Sequence, residues 1–255
     1  MKLTKIAAAV AVATTMAFAS VSAHAGIVSV GGVQWNTDSL LDFTAVSSVY
    51  ESVADTIGEK INGYGEIGVI NGTGKSVFCP SGCSLVYTFS DYTLTTLNVG
   101  TGAFSFTGGI LNFYVTADST PDFMQPSDYV GVTPWLSLVG ASPLIPGVTL
   151  TGTATGFNTG GIAGSGAGYL NITGGLAQAY LDTNSQAGGT DFFYSSSFSA
   201  FPNGGSVPGT TPPITHIGSA EITGASQEIP EPGMLALLGL GLAGLGFSRR
   251  GKKAA

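Results

Sequence analysis

The chain has 255 residues, of which 39 are Gly and only 9% are charged, with eight Lys and Arg against fifteen Asp and Glu. Six of the eight cations (Lys2, Lys5, Arg249, Arg250, Lys252 and Lys253) lie in the two ends, which leaves residues 26–229 with Lys60, Lys75 and fourteen acidic side chains. That balance excludes a basic stripe for nucleic acid and an arginine clamp for phosphorylated substrates, and two histidines are too few for a multi-His metal site.

Residues 1–25 begin with Lys2 and Lys5, continue through a mostly apolar run from Ile6 to Ala19, and end in Ala23-His24-Ala25. A basic start, a short apolar stretch and a small-x-small triplet are what signal peptidase accepts. The expectation is export, with cleavage before Gly26.

The body is expected over 26–202. Val46, Val49, Tyr50 and Val53 within Thr44–Thr56 fit either a helix or a strand, and the β-branched content favours strand. Val77-Phe78 and Leu85–Phe89 flank Cys79 and Cys83, and Tyr92–Val99 continues the same short alternating pattern. In an oxidising compartment the default for Cys79 and Cys83 is a disulfide closing a tight loop, with a local rather than a global effect on stability. Redox pairs usually have two intervening residues and this pair has three, while a metal site lacks further soft ligands.

Thr107-Gly-Gly-Ile-Leu-Asn-Phe-Tyr-Val-Thr-Ala-Asp118 parallels Thr173-Gly-Gly-Leu-Ala-Gln-Ala-Tyr-Leu-Asp-Thr-Asn184, and each copy follows an alternating run. Each reads as strand, Thr-Gly-Gly turn, strand, since consecutive glycines permit tight hairpin turns. Asp118, Asp122 and Asp128 follow the first copy in one loop, where carboxylates and carbonyls can hold Ca²⁺. Without EF-hand or nonapeptide spacing the expectation is solvated turn carboxylates and no cofactor. Trp35, Tyr64, Tyr87, Tyr92 and Trp135 are aromatics that can either stack on sugars or fill a core. Many short strands separated by Gly, Pro, Asn and Ser predict an all-β body, a two-sheet sandwich or jelly roll with Gly-rich turns.

Residues 203–229 open with Asn203–Pro213, read as a loop or stalk, and Ile214–Ile222 reads as a last strand docking on the sheet. The tail, 230–255, starts with Pro230-Glu231-Pro232, continues through an uncharged run from Gly233 to Phe247, and ends in Arg249, Arg250, Lys252 and Lys253. At ~1.5 Å per residue the run is shorter than a bilayer core of about 30 Å, yet the basic cap suits a stop-transfer segment held by the positive-inside rule.

Tripeptide, apolar span and basic end, in that order, resemble the PEP-CTERM sorting signal of Gram-negative bacteria. The resemblance implies recognition of Pro230-Glu231-Pro232 by exosortase, an inner-membrane intermediate, and release or attachment at the cell surface or in the extracellular matrix. Gly58–Glu66, Phe78–Cys83, Phe104–Val115 and Asp191–Phe198 resemble segments of flocculation-associated PEP-CTERM proteins of the PepA type. That second resemblance implies a secreted, non-enzymatic protein acting in floc or biofilm cohesion with extracellular polysaccharide as partner. The alternatives are a carbohydrate-binding module and a secreted glycan-active enzyme with paired carboxylates.

Overall fold

The structure is a computed structural model and describes residues 26–39, 42–117, 129, 131–157 and 161–229. Twelve strands are joined by turns and short helical pieces among these residues. They are β1 (Ile27–Val30), β2 (Val33–Asn36), β3 (Phe43–Glu51), β4 (Lys60–Ile70), β5 (Thr73–Gly74), β6 (Ser84–Leu97), β7 (Ala103–Thr116), β8 (Leu136–Ala141), β9 (Leu150–Thr155), β10 (Ala163–Gly174), β11 (Phe192–Ala200) and β12 (His216–Gly224). The all-β reading of the sequence therefore holds, and Thr44–Thr56 contributes a strand rather than a helix.

Except for the β1–β2 hairpin, the strands form one antiparallel sheet in the order β11-β12-β3-β4-β6-β7-β8-β10-β9, with β5 attached to β4. The sheet closes. β10 pairs with β11 over Ala163–Leu170, and on its other edge it meets first β9 and then β8. β7 does the same, meeting β9 through Ala103–Phe106 and β8 through Ile110–Phe113. β8 and β9 thus share one place in the wall, and the body is a barrel with eight wall positions. An eight-position barrel has an interior just wide enough to be filled by side chains or by one small ligand. The two layers expected from the strand pattern are opposite walls of this single closed sheet.

Alternation explains the core. Tyr87 and Phe89 of β6, and Leu111 and Phe113 of β7, are buried on either side of a more exposed residue, while Leu85 and Val86 are both buried and Phe106 lies in the opposite phase, before Gly108 and Gly109. Register shifts occur at Val46/Ser47, Ile61/Gly63, Leu94/Thr96 and Ile172/Gly174. Such bulges bend long strands and raise their twist, which closure of a barrel requires.

Glycines opposite aromatic rings serve the same end. Gly65 of β4 faces Tyr87 of β6 across the ladder, and a Cβ at Gly65 would run into both the Tyr87 ring and the Ser48 carbonyl. The same pairing recurs for Gly152 with Phe104, Gly164 with Phe198, Gly168 with Tyr194 and Gly224 with Phe192. In each pair a ring lies over the bare backbone of its neighbour, in space that a Cβ there would occupy.

The two Thr-Gly-Gly segments differ from the hairpins that their sequence suggests. Gly108 and Gly109, at φ +77° and +102°, lie inside the continuous strand β7, opposite Asp91 at φ +63°. They kink a fourteen-residue strand instead of reversing it. Gly175 ends β10 and leads into the one-turn helix Gln178–Leu181.

One end of the barrel is plugged. Trp35 sits edge-on to Phe43, Trp135 and Tyr180, at centroid distances of 5.9, 5.8 and 5.9 Å, and Trp135 Nε1 donates to the Val30 carbonyl at 2.9 Å. The Cys79–Cys83 disulfide, with a Cα–Cα distance of 5.2 Å, follows the one-turn helix Lys75–Phe78 at this end. Asp191, 2% exposed, accepts backbone hydrogen bonds from Ile172, Thr183 and Asn184 at 2.8, 3.0 and 2.8 Å and ties the end of β10 to the loop before β11.

Candidate functional site

The other rim is where β3, β6 and β11 end and where β4, β7, β10 and β12 begin. Ser47, Val49 and Glu51 of β3 share the inward phase, so the last of them places a carboxyl inside the rim. Two adjoining cavities of about 50 Å³ each lie there, and Glu51, Ile61, Leu150 and Ser196 line both. The outer cavity is walled by Leu94, Leu97, Phe104, Phe106, Phe157 and Phe198. The inner one adds Tyr87, Phe89, Tyr92, Leu111 and Tyr194.

Three polar groups face this interior, and two of them are buried phenols. Tyr92 is 2% exposed and Tyr194 7%, their rings are 6.3 Å apart, and the two hydroxyls have no hydrogen-bonding partner other than each other among the described residues. The third is Glu51, which is half-buried. Desolvation pushes its carboxyl up to about 8, so that it is largely protonated at neutral pH. Burial likewise pushes the Tyr92 and Tyr194 phenols well above the usual range, the latter with help from Tyr92 and Glu51. Tyr87 differs in being satisfied. Its hydroxyl donates to the Ser48 carbonyl at 2.8 Å and lies 3.0 Å from Ser47 Oγ.

His216 sits across the ladder from Glu51 and is fully engaged. Its Nε2 donates to the Ile162 carbonyl at 3.1 Å, and Nδ1 lies 2.9 Å from Thr215 Oγ1. A carbonyl can only accept, which places the proton on Nε2 and leaves Nδ1 to accept from the hydroxyl. Burial holds the ring below its ordinary pKa, although the Ile162 bond opposes this.

A different chemistry faces outward. Thr153 pairs with Ser165, Ser165 with Ser197, Ser197 with Ser219, and Ser219 with Ser48. One row of five hydroxyls therefore crosses β9, β10, β11, β12 and β3, each step being about 4.8 Å, the separation of neighbouring strands. All but Ser48 are exposed. Ser197 and Ser219 hydroxyls are 3.1 Å apart. The row lies along an open groove of about 700 Å³, with Thr151, Ser195 and Glu221 beside it.

The two ends of the described span come together at the plugged end. The Gly26 backbone N–H donates to Glu228 Oε1 at 2.6 Å. Ser226 N donates to Asp42 Oδ1 and Gln227 N to the Tyr180 carbonyl, both at 2.8 Å. The segment following β12 is thus held against the base of the barrel as far as Glu228.

Of the residues singled out in the sequence, Cys79 and Cys83 are joined as expected. Trp35, Tyr64, Tyr87, Tyr92 and Trp135 are all buried, so they serve the core and offer no stacking face to a sugar. The span 214–222 does supply a last strand, and that strand closes the barrel between β11 and β3. Ala23 and Ala25, Asp118, Asp122 and Asp128, the tripeptide Pro230-Glu231-Pro232, and Arg249, Arg250, Lys252 and Lys253 lie outside the described residues. Among the described residues there is no cluster of metal-ligating side chains, and no helix is long and apolar enough to cross a membrane. Sequence reading missed Glu51. The available signal was its phase, an acid at strict period two with the buried Ala45, Ser47 and Val49.

Residues 228–250 match the PEP-CTERM protein-sorting motif. The motif supports an exported surface protein that is sorted by an exosortase, and Glu228, the residue bonded to Gly26, is the first residue matched. No curated protein and no solved structure matches the chain.

Proposed function

We propose that the protein is a non-enzymatic structural component of an extracellular polysaccharide layer, in the manner of the flocculation-associated proteins that its middle resembles. The observation that carries this reading is the outward row Thr153, Ser165, Ser197, Ser219 and Ser48. A neutral row of hydroxyls, repeating at roughly the strand spacing of 4.8 Å, offers many individually small hydrogen bonds to the hydroxyls of an extended glycan. The wall that carries the row is clear of the plugged end, where Ser226, Gln227 and Glu228 are held. Burial of the Trp and Tyr candidates favours this dispersed contact over a carbohydrate-binding module built on a stacking aromatic.

The test is cosedimentation of the protein with polysaccharide from the producing strain, compared with the Ser165→Lys/Ser197→Lys/Ser219→Lys triple variant. The reading expects the wild type to sediment in EDTA and the variant to stay in solution with its fold intact by circular dichroism. Equal sedimentation of both would refute the row as the contact. Release of the wild type by EDTA would assign retention to divalent bridging of the acidic surface instead.

A further inference from the structure

The rim interior joins a cavity to polar groups, and the surface contact proposed above uses neither. The inner cavity holds two buried tyrosine hydroxyls with no hydrogen-bond partner besides each other among the described residues. Glu51 stands at the wall common to both cavities. Among the described residues it is the one acid lining either cavity, and no Lys, Arg or His lines them. His216, the imidazole nearest along the ladder, is committed to Ile162 and Thr215.

What would satisfy such a site follows from charge and shape. An anion would meet no positive partner and would face a carboxyl. A neutral apolar molecule would leave both hydroxyls as they are. A protonated amine supplies the missing counter-charge to Glu51 and donors to the two phenol oxygens, and the rings of Phe89, Tyr92 and Tyr194 offer π-faces to the cation. Beyond Glu51 the outer cavity is apolar, with half-buried Leu97, Phe104, Phe157 and Phe198, which suits a short alkyl tail. About 10–15 Å³ of cavity of this kind accommodates one water-sized group, so two cavities of about 50 Å³ admit a handful of heavy atoms.

We propose that the rim cavity of this barrel is a binding site for a small primary alkylammonium ion, with its charged head at Glu51, Tyr92 and Tyr194 and its tail among the rim phenylalanines. Binding ionises Glu51: the carboxylic acid gives its proton to the buffer and the carboxylate then pairs with the ammonium, so each bound ligand releases up to one proton.

The experiment is isothermal titration of the full chain with n-butylammonium at pH 6.5, in two buffers of different ionisation enthalpy, with n-butanol and butyrate as comparison probes. The expected result is saturable one-to-one binding of the ammonium, release of between half and one proton, and binding of butanol and butyrate at least tenfold weaker. Glu51→Gln should weaken butylammonium by at least tenfold and abolish proton release, and Tyr194→Phe should weaken it by a few-fold without abolishing release. Absence of saturable butylammonium binding at millimolar concentration overturns the proposal, as does binding with no proton release or butanol binding as tight as the ammonium. If Glu51→Gln does not fold, the proton count and the butanol comparison on the wild-type chain decide the question.

Discussion

Gly65 and Tyr87 face each other across β4 and β6, and the tyrosine ring occupies the space that a side chain at position 65 would need. The Tyr87 hydroxyl continues past Gly65 to the Ser48 carbonyl, so one ring spans three adjacent strands, β6, β4 and β3.

Gly65→Ala is expected to destabilise the barrel by about 3 kcal/mol. Its Cβ meets a backbone oxygen as well as a ring, and neither can yield without breaking the Tyr87–Ser48 bond. Gly68→Ala, three residues further along β4, meets only the Val46 carbonyl at 3.9 Å and should cost well under half as much. Urea unfolding of the two variants checks the difference, and equal midpoints would contradict it.

Glu51 makes stability depend on pH in an unusual direction. Its carboxyl is held up at about 8 against an ordinary 4.5, so the folded chain keeps this proton where the unfolded chain has lost it. Its contribution is complete below pH 4.5 and falls away as pH rises towards 8. His216 has the opposite sense: its lowered pKa costs stability only as pH falls below about 6.5. Between pH 6.5 and 8 the wild type should therefore lose on the order of 1–2 kcal/mol, seen as a drop of about 5 °C in Tm. Glu51→Gln should flatten this slope. A wild-type Tm that rises over the same interval would contradict the assignment.

Asp191→Ala leaves three backbone amides, those of Ile172, Thr183 and Asn184, without their acceptor in a buried place. A loss of about 3 kcal/mol is expected, since bonds to a charged group are the stronger kind and unsatisfied buried donors add their own cost. Hydrogen exchange should show the loop between β10 and β11 opening first. Uniform loss of protection across the barrel would mean that Asp191 holds the whole fold rather than this junction.

Deleting Pro230-Glu231-Pro232 is expected to leave an unprocessed, membrane-retained chain, because the sorting motif matched at 228–250 loses its tripeptide. Intact mass of the mature wild-type protein should correspond to a chain that begins at Gly26 and lacks Phe247. A mature form that retains Phe247 would rule out removal of the tail.

Strand content was legible because alternation is local: Leu85, Tyr87 and Phe89 announce a half-buried strand without help from the rest of the chain. Closure was not legible. It depends on β12 pairing with β3, residues separated by more than 160 positions, and no short window records that pairing. The Thr-Gly-Gly motifs misled for a related reason. Positive φ is needed in a hairpin turn and equally in a strand kinked against its neighbour, and only the partner, here Asp91 opposite Gly108 and Gly109, tells the two apart. The sorting motif was fully readable, since a processing signal is recognised as a linear sequence and not through tertiary contacts.

The bond between Gly26 and Glu228 brings both termini of the body to one pole. A tether at either terminus therefore holds the molecule by that pole, like a lantern hung from a hook. The Glu51 rim, at the opposite end of the strands, then faces away from whatever surface bears the tether.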